Sequence, residues 1–107
     1  MAETVVRACG GMSMPLSDLS SRDAVLAAIQ EFNQLGREAF LERYGFGPAR
    51  SIFIEHDGRR YDSKAIAGVA YGRQFPDRGH LRPEDFSGGM ETVGRVLEQL
   101  GFRVLRV

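Results

Sequence analysis

Residues 50–66, RSIFIEHDGRRYDSKAI, decide the fold. Arg50 to His56 is rich in β-branched and aromatic side chains, and Asp57-Gly58 is the dipeptide favoured in a two-residue type I′ turn, where both central residues need positive φ. That turn sets the register of a hairpin: His56 faces Arg59, Glu55 faces Arg60 and Ile54 faces Tyr61, so an opposite-charge pair and an apolar pair lie across the ladder. Asp62 and Ser63 then stand where a helix cap belongs, and Ile66, Val69 and Ala70 mark an apolar helical face behind them. Gly68 and Gly72 weaken this helix in isolation and predict a close-packed neighbour.

Working outward toward the N-terminus, Val25, Leu26, Ile29, Phe32 and Leu35 recur at helical spacing after Ser20-Ser21, which predicts a capped amphipathic helix over 21–35, ended or bent by Gly36. Phe40, Leu41 and Tyr44 continue the spacing in a shorter helical piece that stops at Gly45, and Gly47-Pro48 enforces a loop. Residues 1–20 carry glycines, methionines, serines and Pro15 without periodicity and are expected to form a flexible arm ahead of a domain over 21–107. On the other side of the hairpin, residues 74–83 read as a surface loop. Ser87-Gly88-Gly89 opens what the pattern marks as the clearest helix, with Val93, Val96, Leu97 and Leu100 on one stripe and Gly101 after its last turn. Phe102 to Val107 reads as a strand that joins the hairpin. The expectation is a small single α+β domain, with three to four helices packed on a short antiparallel or mixed sheet containing the hairpin.

The chain has 107 residues, 43% apolar and 26% charged, which fits one ordinary globular domain and excludes a disordered or collagen-like chain. Fourteen acidic residues balance fourteen basic ones, so the simplest mark of a nucleic-acid binder, a strongly basic domain, is missing. The single cysteine, Cys9, leaves no internal disulfide and no zinc site built on cysteine pairs, and fits a reducing compartment. No apolar run approaches the roughly 20 residues that cross a bilayer, and the first residues lack the pattern of a signal peptide. The expected location is cytoplasmic, with no membrane partner.

Distribution says more than the total. Thirteen of the fourteen cations are arginine and only Lys64 is lysine. From Arg50 to Arg82 there are seven cations (Arg50, Arg59, Arg60, Lys64, Arg73, Arg78, Arg82) against four carboxylates (Glu55, Asp57, Asp62, Asp77), a local charge of +3. A hairpin tip carrying Arg59 and Arg60 beside a helix start carrying Ser63 and Lys64 has the chemistry to meet a phosphate backbone, with side-chain charge and backbone N–H groups acting together. The plainer alternative is that Arg60 pairs with Glu55 and the rest is a solvated face. Ser87, Gly88 and Gly89 could offer backbone N–H groups to an anion, or serve only as turn and cap residues. Neither a Walker sequence nor a dinucleotide fingerprint is present, so no cofactor is expected.

Asp62-Ser63-Lys64 matches the acid-x-lysine element of magnesium-dependent nucleases, with Glu55 or Asp57 as the second carboxylate. A cap at Asp62 and a surface charge at Lys64 explain the same residues without metal. His56 and His80 could nominally join Ser63 and an aspartate in a hydrolytic set, but nothing in the spacing brings them together. Tyr44 and Tyr61 are expected in the core, while Tyr71 and Phe75 could stack on a base.

Several of these residues carry a joint likeness: Phe40-Leu41 with Tyr44-Gly45-Phe46, Arg60-Tyr61-Asp62-Ser63-Lys64-Ala65-Ile66 with Gly68, Asp85-Phe86-Ser87-Gly88-Gly89 with Thr92-Val93, and Leu97 with Leu100-Gly101-Phe102. Over 21–105 the chain resembles the N-terminal head domain of McrA-like HNH restriction endonucleases. In that family the head precedes readers of modified DNA, such as SRA-type or sulfur-recognising modules, and a zinc-bearing HNH nuclease. The paired cysteines and histidine cluster of an HNH site are not in this sequence, so the resemblance implies either an excised head or a small stand-alone relative.

The expected function is therefore a non-catalytic module that binds DNA or reads its modification, methylated or phosphorothioated, within a restriction system. Arg59, Arg60, Ser63 and Lys64 would anchor phosphates; Arg73, Gln74 and the 74–83 loop with Arg78 would reach a groove or a modified base. No catalytic or metal-ligating residue is assigned. The alternatives are a protein-interaction module that forms a homodimer through an edge strand and, behind it, a magnesium-dependent nuclease.

Overall fold

The computed structural model describes residues 15–107. Helix α1 (Arg22–Leu35) and helix α2 (Arg37–Tyr44) are followed by strands β1 (Ile52–His56) and β2 (Arg59–Asp62), then helix α3 (Ser63–Gln74). A single π turn, Met90–Gly94, runs into helix α4 (Arg95–Gln99), and strand β3 (Arg103–Arg106) closes the order. The architecture is α+β, with four α-helices and an antiparallel sheet of order β2-β1-β3 among the described residues. No helix among the described residues is long and apolar enough to cross a membrane.

The hairpin forms in the register that its turn dictates, with His56 opposite Arg59, Glu55 opposite Arg60 and Ile54 opposite Tyr61. Asp57 and Gly58 have φ of 52° and 78°, the positive pair that a type I′ turn requires. On the other edge of β1, Ile54 faces Val104 and Glu55 faces Arg103. Because side chains alternate along a strand, Ile54 and Tyr61 are buried on one face, while Phe53 and Leu105 stand half-buried on the other. Glu55 pairs with Arg103 at 3.1 Å, which leaves its cross-strand neighbour Arg60 without a carboxylate partner among the described residues.

Ser21 caps α1, its hydroxyl accepting from Ala24 N–H at 3.1 Å, as its side-chain type predicts. Helix α1 lays Val25, Ala28, Ile29 and Phe32 against α3, which is buried on almost every side. The glycines of α3 make close crossings possible. A Cβ at Gly68 would lie 2.6 Å from Phe46 Cζ, and one at Gly72 would lie 2.5 Å from His80 N, so only glycine admits the loop that crosses there.

Two expectations are corrected. Residues 16–20 belong to the packed domain rather than to a loose arm: Leu16 and Leu19 are buried, a 3₁₀ turn runs over Pro15–Asp18, and the Gln74 carboxamide accepts from Ser20 N–H and Ser21 N–H at 2.8 and 2.9 Å. Two leucines three apart were too short a pattern to read as helical. Residues 1–14, with Cys9, lie outside the described residues. The helix expected from Ser87-Gly88-Gly89 begins instead as the widened turn, in which Gly94 N–H reaches back to Gly89 O at 3.2 Å. No side chain caps this start, since Ser87 Oγ accepts from Gly89 N–H and the Thr92 hydroxyl turns back to Ser87 O at 2.7 Å.

Candidate anion-contact site

Asp62 organises the junction between β2 and α3. Its carboxylate is buried and receives the Arg37 guanidinium as a two-pronged fork, Nε to Oδ1 at 2.9 Å and Nη2 to Oδ2 at 2.8 Å, together with Ala49 N–H at 2.8 Å. This bond to Asp62 raises the Arg37 pKa further still. The same engagement pulls Asp62 away from the capping role that its position predicts: it makes no side-chain bond to the first turn of α3. The leading N–H groups of α3, which have no intrahelical partner, are therefore left uncapped.

Beside this helix start lies a cleft of about 160 Å³ whose lining includes Arg50, Ser51, Ser63, Lys64 and Gly88. Neither Arg50 nor Lys64 has a carboxylate partner among the described residues, and the carboxylate in the wall, Asp62, is neutralised by Arg37. The Lys64 stem packs over Gly88, where a Cβ would come 3.0 Å from Lys64 Cδ, and its Nζ lies 5.2 Å from the centre of the Phe86 ring. Gly88 is thus part of the cleft wall through close approach. Arg106 also lacks a carboxylate partner and stands opposite Ile52, at the same end of the sheet.

The expected site residues separate into three groups. Arg59 and Arg60 lie at the hairpin end of the sheet, four steps of β1 and about 13 Å from its other end; neither is paired with a carboxylate, and Arg59 Nη1 donates to Asn33 Oδ1 at 3.1 Å. Lys64 and Gly88 meet Arg50 at the α3 cleft. Ser63, by contrast, is buried, its hydroxyl donating to Ile52 O at 2.9 Å. Gln74 clamps residues 18–21, Arg73 pairs with Glu31 at 2.8 Å, and Arg78 reaches Asp18 at 3.2 Å and Tyr71 Oη at 2.7 Å while lying over Phe75. Arg82 faces Glu84 and Asp85. Among the described residues, four of the seven central cations lack a carboxylate partner and three have one, and the four are divided between the hairpin end and the α3 cleft, so they do not gather into one patch.

Around Glu31, Tyr44 and the guanidinium groups of Arg43 and Arg73 form a cluster with its own electrostatics. Burial alone would push Glu31 up, but hydrogen bonds from Tyr44 and Arg73 and the charges of Arg73 and Arg43 outweigh it and hold the carboxylate below its usual range. Tyr44 moves the other way, raised by burial and by donating to Glu31 at 2.6 Å. Its ring, expected in the core, is only partly buried and packs against the core beside Phe40 and edge-on to His80.

The acid-x-lysine motif is not an open metal corner. Both Asp62 oxygens are taken by Arg37 and Ala49, and Glu55 is paired with Arg103. Among the described residues no three histidine, cysteine or carboxylate side chains come together to hold a metal ion. His56 sits 3.5 Å from Asp57 and His80 against Tyr44, each far in the fold from the buried Ser63. Arg50 was counted among the central cations but not expected as a contact residue; it is an ordinary loop-end arginine until the fold brings it beside the start of α3.

Comparison with known proteins assigns the class first: the chain is similar to part of a restriction endonuclease. The chain matches a solved structure, that of the Type IV phosphorothioation-dependent restriction endonuclease ScoMcrA, at 37% identity with a TM-score of 0.56. The match covers 78% of this chain and 12% of the endonuclease chain. The model of the ScoMcrA-like N-terminal head domain matches residues 17–106, and the chain belongs to that family. The match begins at Ser17, within the turn that packs Leu16 and Leu19 into the core. No curated protein matches it.

Proposed function

We propose that this head domain is a non-catalytic DNA-contact module of a cytoplasmic restriction system that acts on modified DNA, phosphorothioated or methylated. The observation that carries the reading is the cleft at the start of α3, where two cations without carboxylate partners, Arg50 and Lys64, flank uncapped helix N–H groups. A phosphate there meets side-chain charge and oriented backbone donors together. Arg59 and Arg60, at the other end of the sheet, supply a second contact to the same backbone. Such contacts position a protein on a duplex and carry no sequence information, which leaves reading of the modification to other surfaces.

Mobility shifts with plain, methylated and phosphorothioated duplexes test this. Binding at about 50 mM salt is expected, with a log–log salt slope of about −3 to −4 for roughly four phosphates, and Arg50→Ala or Lys64→Ala each flattens that slope by about one. Absence of binding to all three duplexes at that salt overturns it.

A second reading rests on the sheet face that bears Phe53 and Leu105, which stand outside the core cluster. Two half-buried apolar side chains beside an open edge suit a protein contact, either another copy or a neighbouring domain. Light scattering decides between these modes: a concentration-dependent dimer indifferent to DNA supports this reading, and a monomer throughout removes the homodimer.

A further inference from the structure

A groove of about 510 Å³ runs between α1 and the hairpin end, within the range of about 300–1,000 Å³ usual for small-ligand sites. Its lower wall is apolar: Leu26 and Ile29 lie one turn apart on α1, next to the buried Tyr61 ring. Its rim is polar, formed by the exposed side chains of Gln30, Asn33 and Arg59. Asp57, at one end, is turned to His56 at 3.5 Å.

The Asn33 carboxamide is oriented by its partners. Oδ1 accepts from Tyr61 Oη at 3.0 Å and from Arg59 Nη1 at 3.1 Å. A guanidinium can only donate, so it selects the carbonyl oxygen and turns the amide NH2 away as a fixed donor. That NH2 has no acceptor among the described residues, and Gln30, one turn earlier, makes no hydrogen bond with either end of its amide. The groove therefore offers an apolar wall, a fixed donor, an adaptable donor–acceptor pair and one cation without a carboxylate partner.

We propose that this groove takes a single unpaired nucleobase together with its phosphate. Carboxamides match the adjacent donors and acceptors of base edges, the aliphatic wall suits the ring face, and Arg59 suits the phosphate. The base must be unpaired, because contact with its face is blocked while it is stacked in a duplex. The inference extends the nucleic-acid reading above but uses a different part of the surface from the α3 cleft.

Titration of the four deoxynucleoside 5′-monophosphates into ¹⁵N-labelled protein, with deoxyribose 5-phosphate as the base-less control, tests it. The amides of residues 26–33 and 59–61 are expected to shift and saturate with Kd of about 1 mM for at least one nucleotide, and not with the control. Gln30→Leu should weaken that binding about fivefold or more, while Arg50→Ala with Lys64→Ala leaves it unchanged. The inference is overturned if none of the four shifts the groove up to about 10 mM, if the base-less control shifts the same amides equally, or if Gln30→Leu binds as tightly as the unmodified chain. Saturation of the groove in a protein that binds no duplex supports this inference while removing the backbone-contact reading, so the two fail separately.

Discussion

The two ends of α3 present arginine and lysine in similar density and put them to opposite use. At its start, Arg50 and Lys64 line a cleft whose carboxylate, Asp62, is already neutralised by Arg37. In its last turn and just beyond it, Arg73 and Arg78 are paired with Glu31 and Asp18, and Gln74 holds the backbone of residues 20 and 21. The difference lies in the carboxylates and in how the chain distributes them. The N-terminal segment delivers Asp18 and Glu31 to one end of the helix, and the loop before β1 delivers the backbone amide of Ala49 and a free arginine to the other. A basic stretch is thus a stock of charges from which tertiary partners neutralise some and leave the rest without a carboxylate.

The largest effect that breaks this contrast comes from Asp62→Ala. It strands the Arg37 fork and Ala49 N–H and removes the tie that shapes the cleft, and should cost about 3 kcal/mol of folding stability; urea unfolding measures it, and a loss below about 1 kcal/mol would show that the junction is held by packing alone. Next in size is an exchange of roles between the two ends. Arg50→Ala with Lys64→Ala should weaken duplex binding about tenfold at about 0.1 M salt and leave the melting temperature unchanged. Arg73→Ala with Arg78→Ala should lower the melting temperature and leave affinity within about twofold; the reverse assignment of the two double variants would mean that the ligand displaces Glu31 and Asp18.

The smallest effect sharpens the paired end. Glu31 has its folded-state pKa below the ordinary value of 4.5, so its contribution to stability is complete above that value and is lost as the pH falls through the folded-state value. Unfolding free energies of the native chain and Glu31→Gln should therefore converge on acidification below pH 4.5. Parallel curves across that window would contradict the role given to Tyr44 and Arg73.

Much of the fold is local in origin and was readable. Asp57-Gly58 permits one tight turn, and that turn sets the pairing of His56, Glu55 and Ile54 with β2. Gly68 and Gly72 announced a close crossing, although the residues that cross, Phe46 and His80, come from segments with no visible relation to them. The site was less legible. Lys64 and Gly88 were named for charge and backbone freedom, and they do meet; Ser63 was named for its hydroxyl, which the fold spends on Ile52 O. The start of α4 misled because a glycine pair resembles a cap wherever it precedes an apolar stripe, whether or not a side chain supplies the missing bond.

By itself the sequence determined the helices with strong apolar stripes, the hairpin with its register, and the α+β class, because each depends on periodicity or turn chemistry within a few residues. Its family likeness rests on the same local patterns. Only the tertiary structure decided which cations stay free of carboxylates, that Asp62 serves Arg37 instead of capping α3, and that Leu16 and Leu19 belong to the core. Those outcomes depend on charges and apolar groups separated by tens of residues, and a pairwise attraction has no signature in sequence until the chain brings both partners within a few ångströms.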